Sequence, residues 1–355
     1  SKQASKQASK QASKQASREN WVDELKGILI LSVILGHSIM SVNKNDMLQK
    51  IILILIYTCH MPMFFVLSGY VLKVEDNPNI LGFANKKLKR LMLPYILFIV
   101  INTTMEAFLH IYSLNEIKEK ILSGYMDIVL ITTKSIYSSL WFLPALFWSL
   151  IIVYELEISI KKAESKILMS LLLAISCQIL HFLNIESYLG IREALLVQLF
   201  VLIGYECKNE IRYIIRSYSF LKMLMISIVW VYATYEWTRS GYSLVNYWNF
   251  DLPTVFWPVM IAFIGIIWLL NLMGALREVR WNRICSLISK IGMDSLYIYG
   301  FHYIFLNTFK KYLVGKFDTP MITWIVALLI FVSTVIFTEA YKYLKTLILN
   351  YQHKC

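Results

Sequence analysis

The chain of 355 residues is 57% hydrophobic and only 16% charged, with a mean hydropathy of +0.56. Soluble domains carry about 25% charged residues, so this composition excludes an ordinary soluble domain and indicates a polytopic membrane protein. The formal net charge of +12 does not indicate nucleic-acid binding, because the basic residues form short clusters between apolar segments, as in membrane loops.

Residues 1–17 repeat the sequence SKQA four times and end in Ser17. A polar repeat of low complexity is expected to be disordered. The codons AGC-AAG-CAA-GCA encode SKQA and are themselves the tetranucleotide AGCA in tandem, and such tracts gain or lose units during replication. We therefore weigh two origins for this segment, a translated phase-variation tract and an engineered leader. Mixed synonymous codons across 1–17 would exclude the first.

About ten later segments are long and apolar enough to span a bilayer. They cover residues 25–43, 51–73, 91–112, 137–154, 166–182, 190–206, 219–237, 254–273, 284–309 and 322–345. With the N-terminus inside, the inner loops hold roughly twice as many Lys and Arg residues as the outer loops, so both termini are predicted to be cytoplasmic. The fold class predicted is an all-α polytopic integral membrane protein, with a transmembrane domain over 18–349 and a cytoplasmic tail over 350–355.

The first apolar segment carries a cation and an imidazole. The stretch KGILILSVILGHS begins at Lys26, and helical rise puts His37 roughly 16 Å further along the axis. Ionisable residues inside a membrane segment are costly, so they are candidates for function. The predicted topology places His60 of the second segment and His302 of the ninth at the same level as His37. A neutral imidazole is a natural general base near pH 7.

Other interpretations of these histidines stay open. An intramembrane histidine is often a packing residue that is hydrogen-bonded and has no catalytic role. Glu106 of the third segment and Trp141 of the fourth fall near the same level as the histidines. A metal site is not favoured, because the histidine spacing matches no ligand motif and the five cysteines contain no CxxC pair. A proton-coupled transporter of a small metabolite would use such groups as a relay. A non-enzymatic membrane scaffold would not need them.

Two polar clusters flank the apolar segments. The stretch FANKKLKRLMLPY contains four basic residues, Lys86, Lys87, Lys89 and Arg90. They favour either an anchor to anionic lipid headgroups or a phosphate site for a nucleotide-like cofactor. The predicted outer loop 236–253 is rich in aromatic residues, including Trp248, and is interpreted either as an interfacial belt or as a stacking platform for a sugar.

Five motifs, taken together and in order, resemble the membrane acyltransferase-3 family, most closely its fucose 4-O-acetylase-like subgroup. They are RENWVDELKGILILSVILGHS (18–38), CHMPMFFVLSGYVLK (59–73), KKLKRLMLPY (86–95), SLWFLPALFW (139–148) and SLYIYGFHYIF (295–305). Lys26 and His37 match the family pattern of a basic residue, ten spacer residues and a histidine. Lys replaces the more usual Arg, which removes a bidentate contact.

The resemblance implies ten helices in the bacterial inner membrane and transfer of an acyl group, usually acetyl. The donor would be cytoplasmic acetyl-CoA, and the acceptor a hydroxyl of a cell-surface or lipid-linked glycan at the outer face, of lipopolysaccharide, O-antigen or capsule type. The four basic residues at 86–90 then become a site for the phosphates of CoA. No metal and no nucleic acid are implied, the other expected contacts are membrane lipids, and the oligomeric state is open.

The resulting hypothesis makes His37 the general base that takes the proton of the acceptor hydroxyl as it attacks the thioester. Lys26 holds the cofactor or maintains the local charge. His60, Trp141 and Tyr299 shape the site or donate to the developing oxyanion, with Trp141 on the cofactor side. A covalent acyl-His37 intermediate is the alternative route. The acceptor is assigned to four residues, His302, Tyr299, Glu106 and Trp248.

Overall fold

The computed structural model describes residues 19–42, 46–75, 77–109, 138–185, 187–239, 256–278, 282–313 and 320–352, with 115, 116, 118, 119, 122 and 126. The repeat 1–17 and Trp248 lie outside these residues. The helices are α1 (Asn20–Val42), α2 (Met47–Tyr70), α3 (Ile80–Lys87), α4 (Leu93–Leu109), α5 (Phe142–Ser159), α6 (Ala163–Phe182), α7 (Ile191–Glu206), α8 (Lys208–Arg216), α9 (Phe220–Arg239), α10 (Phe256–Glu278), α11 (Asn282–Met293), α12 (Ser295–Leu313) and α13 (Pro320–Gln352).

The described residues form a helical bundle with several helices suited to a membrane. Seven of these helices, counting α3 and α4 as one, are long and apolar enough to cross it, or up to eight if α8 and α9, bent by 115°, form one span. Each of the ten predicted segments overlaps helical residues among those described, although the ninth is divided between two helices and α7 has only 16 residues. The prediction of a helical multi-pass membrane protein is therefore confirmed. The number ten and the orientation stay predictions.

The ninth predicted segment, 284–309, is not one helix. It is divided at Asp294 into α11, which has 12 residues, and α12, which has 19. A helix of 12 residues is too short to span a bilayer. Both carboxylate oxygens of Asp294 accept hydrogen bonds at 3.0 Å from Nζ of Lys342 on α13. This ion pair fixes the junction between the two helices.

Two glycines let α11 lie directly against the first turns of α1. A Cβ atom on Gly27 would stand 2.2 Å from the carbonyl oxygen of Ile288, and one on Gly292 would stand 1.7 Å from that of Asp23. Only a residue without a side chain permits such an approach of backbones. The packing holds α11 beside the turn of α1 that carries Lys26.

A second pair of glycines joins α2 to α7. A Cβ atom on Gly69 would lie 1.9 Å from the carbonyl oxygen of Val201, and one on Gly204 would lie 2.0 Å from that of Val66. Helices inside a membrane associate largely through close van der Waals packing, so small residues at the crossing are what allow this contact. The crossing fixes the position of α2, the helix that carries His60.

We expect Gly69→Ala to lower stability, because its methyl group would force the α2–α7 crossing apart. Overpacking of a tight contact costs about 1–3 kcal/mol or more. Thermal unfolding of the purified protein in detergent measures the loss. Gly82→Ala is the control, since its Cβ would meet only the flexible side chain of Asn79, at 3.2 Å. Equal melting temperatures for the two variants would contradict the proposed contact.

A lysine clamps two carboxylates where α5 ends, α6 begins and α7 ends. Nζ of Lys166 lies 2.5 Å from Oε2 of Glu157 and 2.7 Å from Oε1 of Glu206. The Lys166 and Glu157 side chains are only 10% and 6% exposed. Removing the cation would leave two carboxylates together in a poorly solvated place.

Lys166→Met should therefore destabilise the protein by about 3 kcal/mol, the cost typical of breaking a buried ion pair by deleting one partner. The thermal unfolding assay in detergent measures this change as well. Lys162→Met removes a positive charge from an exposed position nearby and serves as the control. If both variants melt at the same temperature, the clamp has no stabilising role.

Candidate active site

The imidazole rings of His37 and His302 face each other inside the bundle. Their centroids are 5.3 Å apart and their planes are inclined by 32°. His37 is partly buried on α1, and His302 on α12 is fully buried. The side chain of Tyr303 lies edge-on to both rings, at 5.8 Å from His37 and 5.3 Å from His302. Two histidines from distant parts of the sequence, predicted to lie at one level, thus meet in one cluster of rings, the histidine chamber.

The tautomer of His302 follows from its hydrogen bond. Its Nδ1 lies 2.7 Å from the carbonyl oxygen of Tyr299, one turn earlier on α12. A carbonyl oxygen can only accept, so Nδ1 carries the proton and Nε2 of the neutral ring is left as an acceptor. That Nε2 is buried and has no hydrogen-bond partner among the described residues. A buried basic nitrogen without a partner is unusual, and it is a candidate for contact with a ligand or with His37.

His60 has the same arrangement on α2 and is 5% exposed. Its Nδ1 lies 2.6 Å from the carbonyl oxygen of Ile56, so its Nε2 is also the acceptor when the ring is neutral. Tyr57 stands between the histidines, with its ring 5.1 Å from His60 and 6.3 Å from His37. His60 is therefore one aromatic ring away from the facing pair.

Lys26 lies about 16 Å from His37 along α1, at 1.5 Å per residue. Its Nζ is 3.8 Å from Oδ1 of Asp23, one turn earlier, and its side chain is 19% exposed while that of Asp23 is 5% exposed. Asp23 is also the residue whose backbone contacts Gly292 of α11. Lys26 is thus held at the edge of the bundle, well away from the imidazoles.

Two aromatic side chains from the sequence hypothesis lie beside the chamber. Tyr299 is 5% exposed, with its ring 6.0 Å from His302 and 5.7 Å from Phe142. Trp141 ends the short 3₁₀ turn before α5 and packs 6.1 Å from Phe65 of α2. Tyr299 therefore contacts the histidine region directly, whereas Trp141 lies on its α2–α5 side.

Glu106 is buried on α4, where it contacts α12. Its Oε1 accepts a hydrogen bond from Nδ2 of Asn307, which lies more than one turn after His302 on α12. The amide of Asn102, one turn earlier on α4, donates to the carbonyl oxygen of Gly300 at 3.0 Å. These two contacts tie α4 to α12 and hold the helix that carries His302.

The four basic residues predicted for CoA lie across α3, the π turn Leu88–Met92 and the approach to α4. Lys86, Lys89 and Arg90 are exposed, and Nζ of Lys87 lies 5.1 Å from the ring centroid of Phe83. Phe83 in turn stacks on Tyr154 of α5 at 4.0 Å. The cluster is thus attached to the bundle through Phe83.

Tyr57 and Tyr303 line the chamber without having been predicted. Both lie within one turn of a candidate histidine, Tyr57 three residues before His60 and Tyr303 next to His302. Their closeness to the histidines in sequence could have indicated them. That signal is weak, because tyrosines are frequent throughout this chain. Only the crossing of α1, α2 and α12 distinguishes them.

The chamber can perform acid–base chemistry. It combines the Nε2 atoms of His60 and His302, which are acceptors when the rings are neutral, with tyrosine rings in an apolar surrounding, where a polar contact is stronger than in water. In the described residues, no group of three or more side chains is arranged as a metal site.

Comparison with known proteins identifies the family. The sequence profile of the acyltransferase domain, acyltransferase-3, matches residues 19–339. The chain belongs to the acyltransferase-3 family. It is a multi-pass membrane acyltransferase, as the sequence motifs predicted. Searches of curated proteins and of solved structures find no match.

If Nε2 of His302 positions the reacting groups, His302→Phe should reduce acyltransferase activity by about 10²-fold, the lower range for a proton-transfer network. His302→Gln should restore part of that activity, because the end of a glutamine side chain reaches about as far as Nε2. Initial rates of the purified variants measure both effects, with melting temperature as a check on folding. Full activity in a folded His302→Phe variant would exclude the role.

Proposed function

We propose that this acyltransferase transfers an acetyl group from cytoplasmic acetyl-CoA to a hydroxyl of a cell-surface or lipid-linked glycan, of lipopolysaccharide, O-antigen or capsule type. The observation that carries the proposal is the facing pair of His37 and His302, with a buried acceptor nitrogen on His302. A hydroxyl is a poor nucleophile until a base takes its proton, and the pair supplies bases away from water.

In the proposed step His37 removes the proton of the acceptor hydroxyl as its oxygen attacks the thioester carbonyl. The carbon–sulfur bond then breaks, the thiolate of CoA leaves, and the imidazolium of His37 returns the proton to sulfur. The products are an acetyl ester and free CoA, so atoms and charge balance. Nε2 of His302 would accept the N–H of His37 and hold that ring in position.

Tyr299 and His60 are proposed to shape the chamber around the oxyanion. The ring of Tyr299 packs against His302, and the ring of Tyr57 lies between His60 and His37. A hydroxyl or N–H placed near the developing negative charge stabilises the transition state more than the ground state. Glu106 acts on the acceptor side only indirectly in this proposal, through Asn307 and the position of α12.

The orientation that the proposal requires puts the start of α1 in the cytoplasm of a bacterial inner membrane. The end of α2 lies on the same face as the start of α1, because the rings of Trp21 and Tyr70 are 5.0 Å apart. The basic cluster at 86–90 follows α2 closely in the chain. The positive-inside rule supports a cytoplasmic location for that face.

Expression of the enzyme is proposed to be phase-variable through the repeat at 1–17. A tetranucleotide tract changes the reading frame when it gains or loses one unit. Sequencing the gene decides the matter, because a run of identical AGCA units supports the switch and mixed synonymous codons exclude it.

We expect His37→Ala to lower acetyl transfer by about 10²- to 10⁴-fold while acetyl-CoA binding is retained, since a general base contributes this much to the rate. Transfer to glycan acceptors and equilibrium binding of acetyl-CoA are measured on the same purified protein. His181→Ala, which removes a histidine of α6, is the matched control. Unchanged transfer by His37→Ala would refute the role of the base.

The glycan acceptor is tested by mass spectrometry of cell-surface glycans from cells with and without the gene. An acetyl mass present only with the gene supports the proposal, and its loss in cells that express His37→Ala assigns the modification to this site. Identical glycans in all strains would refute a glycan acceptor.

A further inference from the structure

A cavity of about 190 Å³ lies on the face of the bundle where α1 begins and α2 ends. It is lined by residues that precede or begin α1, by residues of α8 and by the end of α10. The lining residues are Glu19, Trp21, Arg212, Ile215, Arg216 and Arg277. Arg216 and Arg277 are exposed, so the cavity is in contact with the aqueous side.

The wall of this cavity is strongly basic. Three guanidinium groups stand against one carboxylate, which gives a formal excess of two positive charges. Arg216 and Arg277 form no hydrogen bond or ion pair with a described residue, although Glu24 of α1 acts electrostatically on Arg277. Guanidinium groups pair with phosphate oxygens in bidentate geometry, and a concave basic wall attracts polyanions.

Glu19 positions Arg212 rather than neutralising the cavity. Its Oε1 accepts from Nε of Arg212 at 2.9 Å, and its Oε2 accepts from the hydroxyl of Tyr70 and from Nε1 of Trp21, both at 2.5 Å. Partial burial acts to raise the pKa of Glu19, but these hydrogen bonds outweigh it and leave the pKa below its ordinary value. The ionised carboxylate of Glu19 binds Arg212 through Nε. The two terminal amino groups of the Arg212 guanidinium therefore remain available for a ligand.

Helix α8 is built to present this basic edge. Lys208, Arg212 and Arg216 recur every four residues and share one side of the helix. The buried Ile211 and Ile215 lie next to this basic row, and Ile215 itself lines the cavity. The sharp bend of 115° between α8 and α9 turns this helix away from the direction of the following helix.

The distance to the histidine chamber limits what can bind. Sixteen residues separate Trp21 from His37, which is about 24 Å along α1. Phosphate groups cannot enter the apolar bundle at a tolerable cost, whereas a neutral chain that ends in a thioester can. A donor with phosphates at one end and the acyl group at the far end of a long arm fits both constraints.

We infer that the cavity formed by Arg212, Arg216 and Arg277 binds the phosphate groups of the acyl-CoA donor. This inference rests on the proposed function, and it moves the phosphates from the basic cluster at 86–90 to a separate site. An anionic lipid headgroup carries the same phosphate chemistry, so the test separates the two sources.

The experiment compares the wild type with the double variant Arg216→Gln/Arg277→Gln in detergent without anionic lipid. Coenzyme A binding is measured by calorimetry, and transfer is measured with acetyl-CoA and with S-acetylpantetheine, which lacks the phosphates. We expect CoA affinity and kcat/KM for acetyl-CoA to fall about tenfold or more, since each substitution removes charge-assisted hydrogen bonds to phosphate. Transfer from S-acetylpantetheine should not change.

Two further double variants make the result specific. Lys161→Gln/Lys162→Gln removes two exposed charges elsewhere and should behave as the wild type. Lys86→Gln/Lys89→Gln tests the cluster predicted from sequence. If that variant loses CoA binding and Arg216→Gln/Arg277→Gln does not, the inference is overturned.

The remaining outcomes separate the inference from the function. Normal acetyl-CoA kinetics in Arg216→Gln/Arg277→Gln, beside an active wild type, refutes the cavity and leaves the function intact. An activity that responds to these variants only when anionic lipid is added assigns the arginines to headgroups and also overturns the inference. CoA binding that depends on the arginines, in a protein that acetylates no glycan, supports the cavity and refutes the acceptor.

Discussion

The hydrogen bond between an imidazole and the carbonyl of its own helix is the interaction on which the candidate site depends. It is found in His60 and His302, where Nδ1 lies 2.6 and 2.7 Å from the carbonyl oxygen. In each ring Nδ1 is therefore the nitrogen that carries the proton. Burying a polar group without such a bond is costly, so one nitrogen is satisfied by the backbone. The other nitrogen is then an acceptor in the neutral ring, which is the state in which Nε2 of His302 can accept the N–H of His37.

This arrangement needs α1, α2 and α12 to meet closely, and glycines hold two of these helices tightly against their neighbours. Gly27 and Gly292 bring α11 against α1, and Gly69 and Gly204 bring α7 against α2. Contacts from α4 to α12 complete the support. The catalytic proposal thus depends on backbone packing at several crossings, because a shift of about 1 Å between reacting groups is enough to lose much of a rate.

Charge is distributed in two separate regions of the molecule. The histidine chamber holds groups that can stay neutral, whereas the arginine cavity near Trp21 holds permanent positive charge at the water boundary. The separation is what an apolar barrier demands, since an ionised group is far less costly at the edge than in the interior. A donor that reaches from one region to the other would leave its own charges outside.

Much of the fold could be predicted from the sequence. Hydropathy located the long apolar helices, though not α3, α8 or the division of 284–309 into two helices. The rise of an α-helix placed His37 and His302 at one depth, and the motifs identified the family. These are local properties, fixed by residue type and spacing along one helix. They can be predicted without knowing which helices pack against each other.

What only the tertiary structure decided arises between helices. At the junction of α11 and α12, Asp294 pairs with Lys342, 48 residues later, and hydropathy cannot register such a pair. The tyrosines of the chamber and the arginine cavity likewise combine residues from helices far apart in sequence. The sequence by itself determined that the chain is a helical multi-pass membrane protein, and which side chains its apolar segments carry. Packing decided which of those side chains meet, because contact between helices depends on their crossing and rotation rather than on spacing along either one.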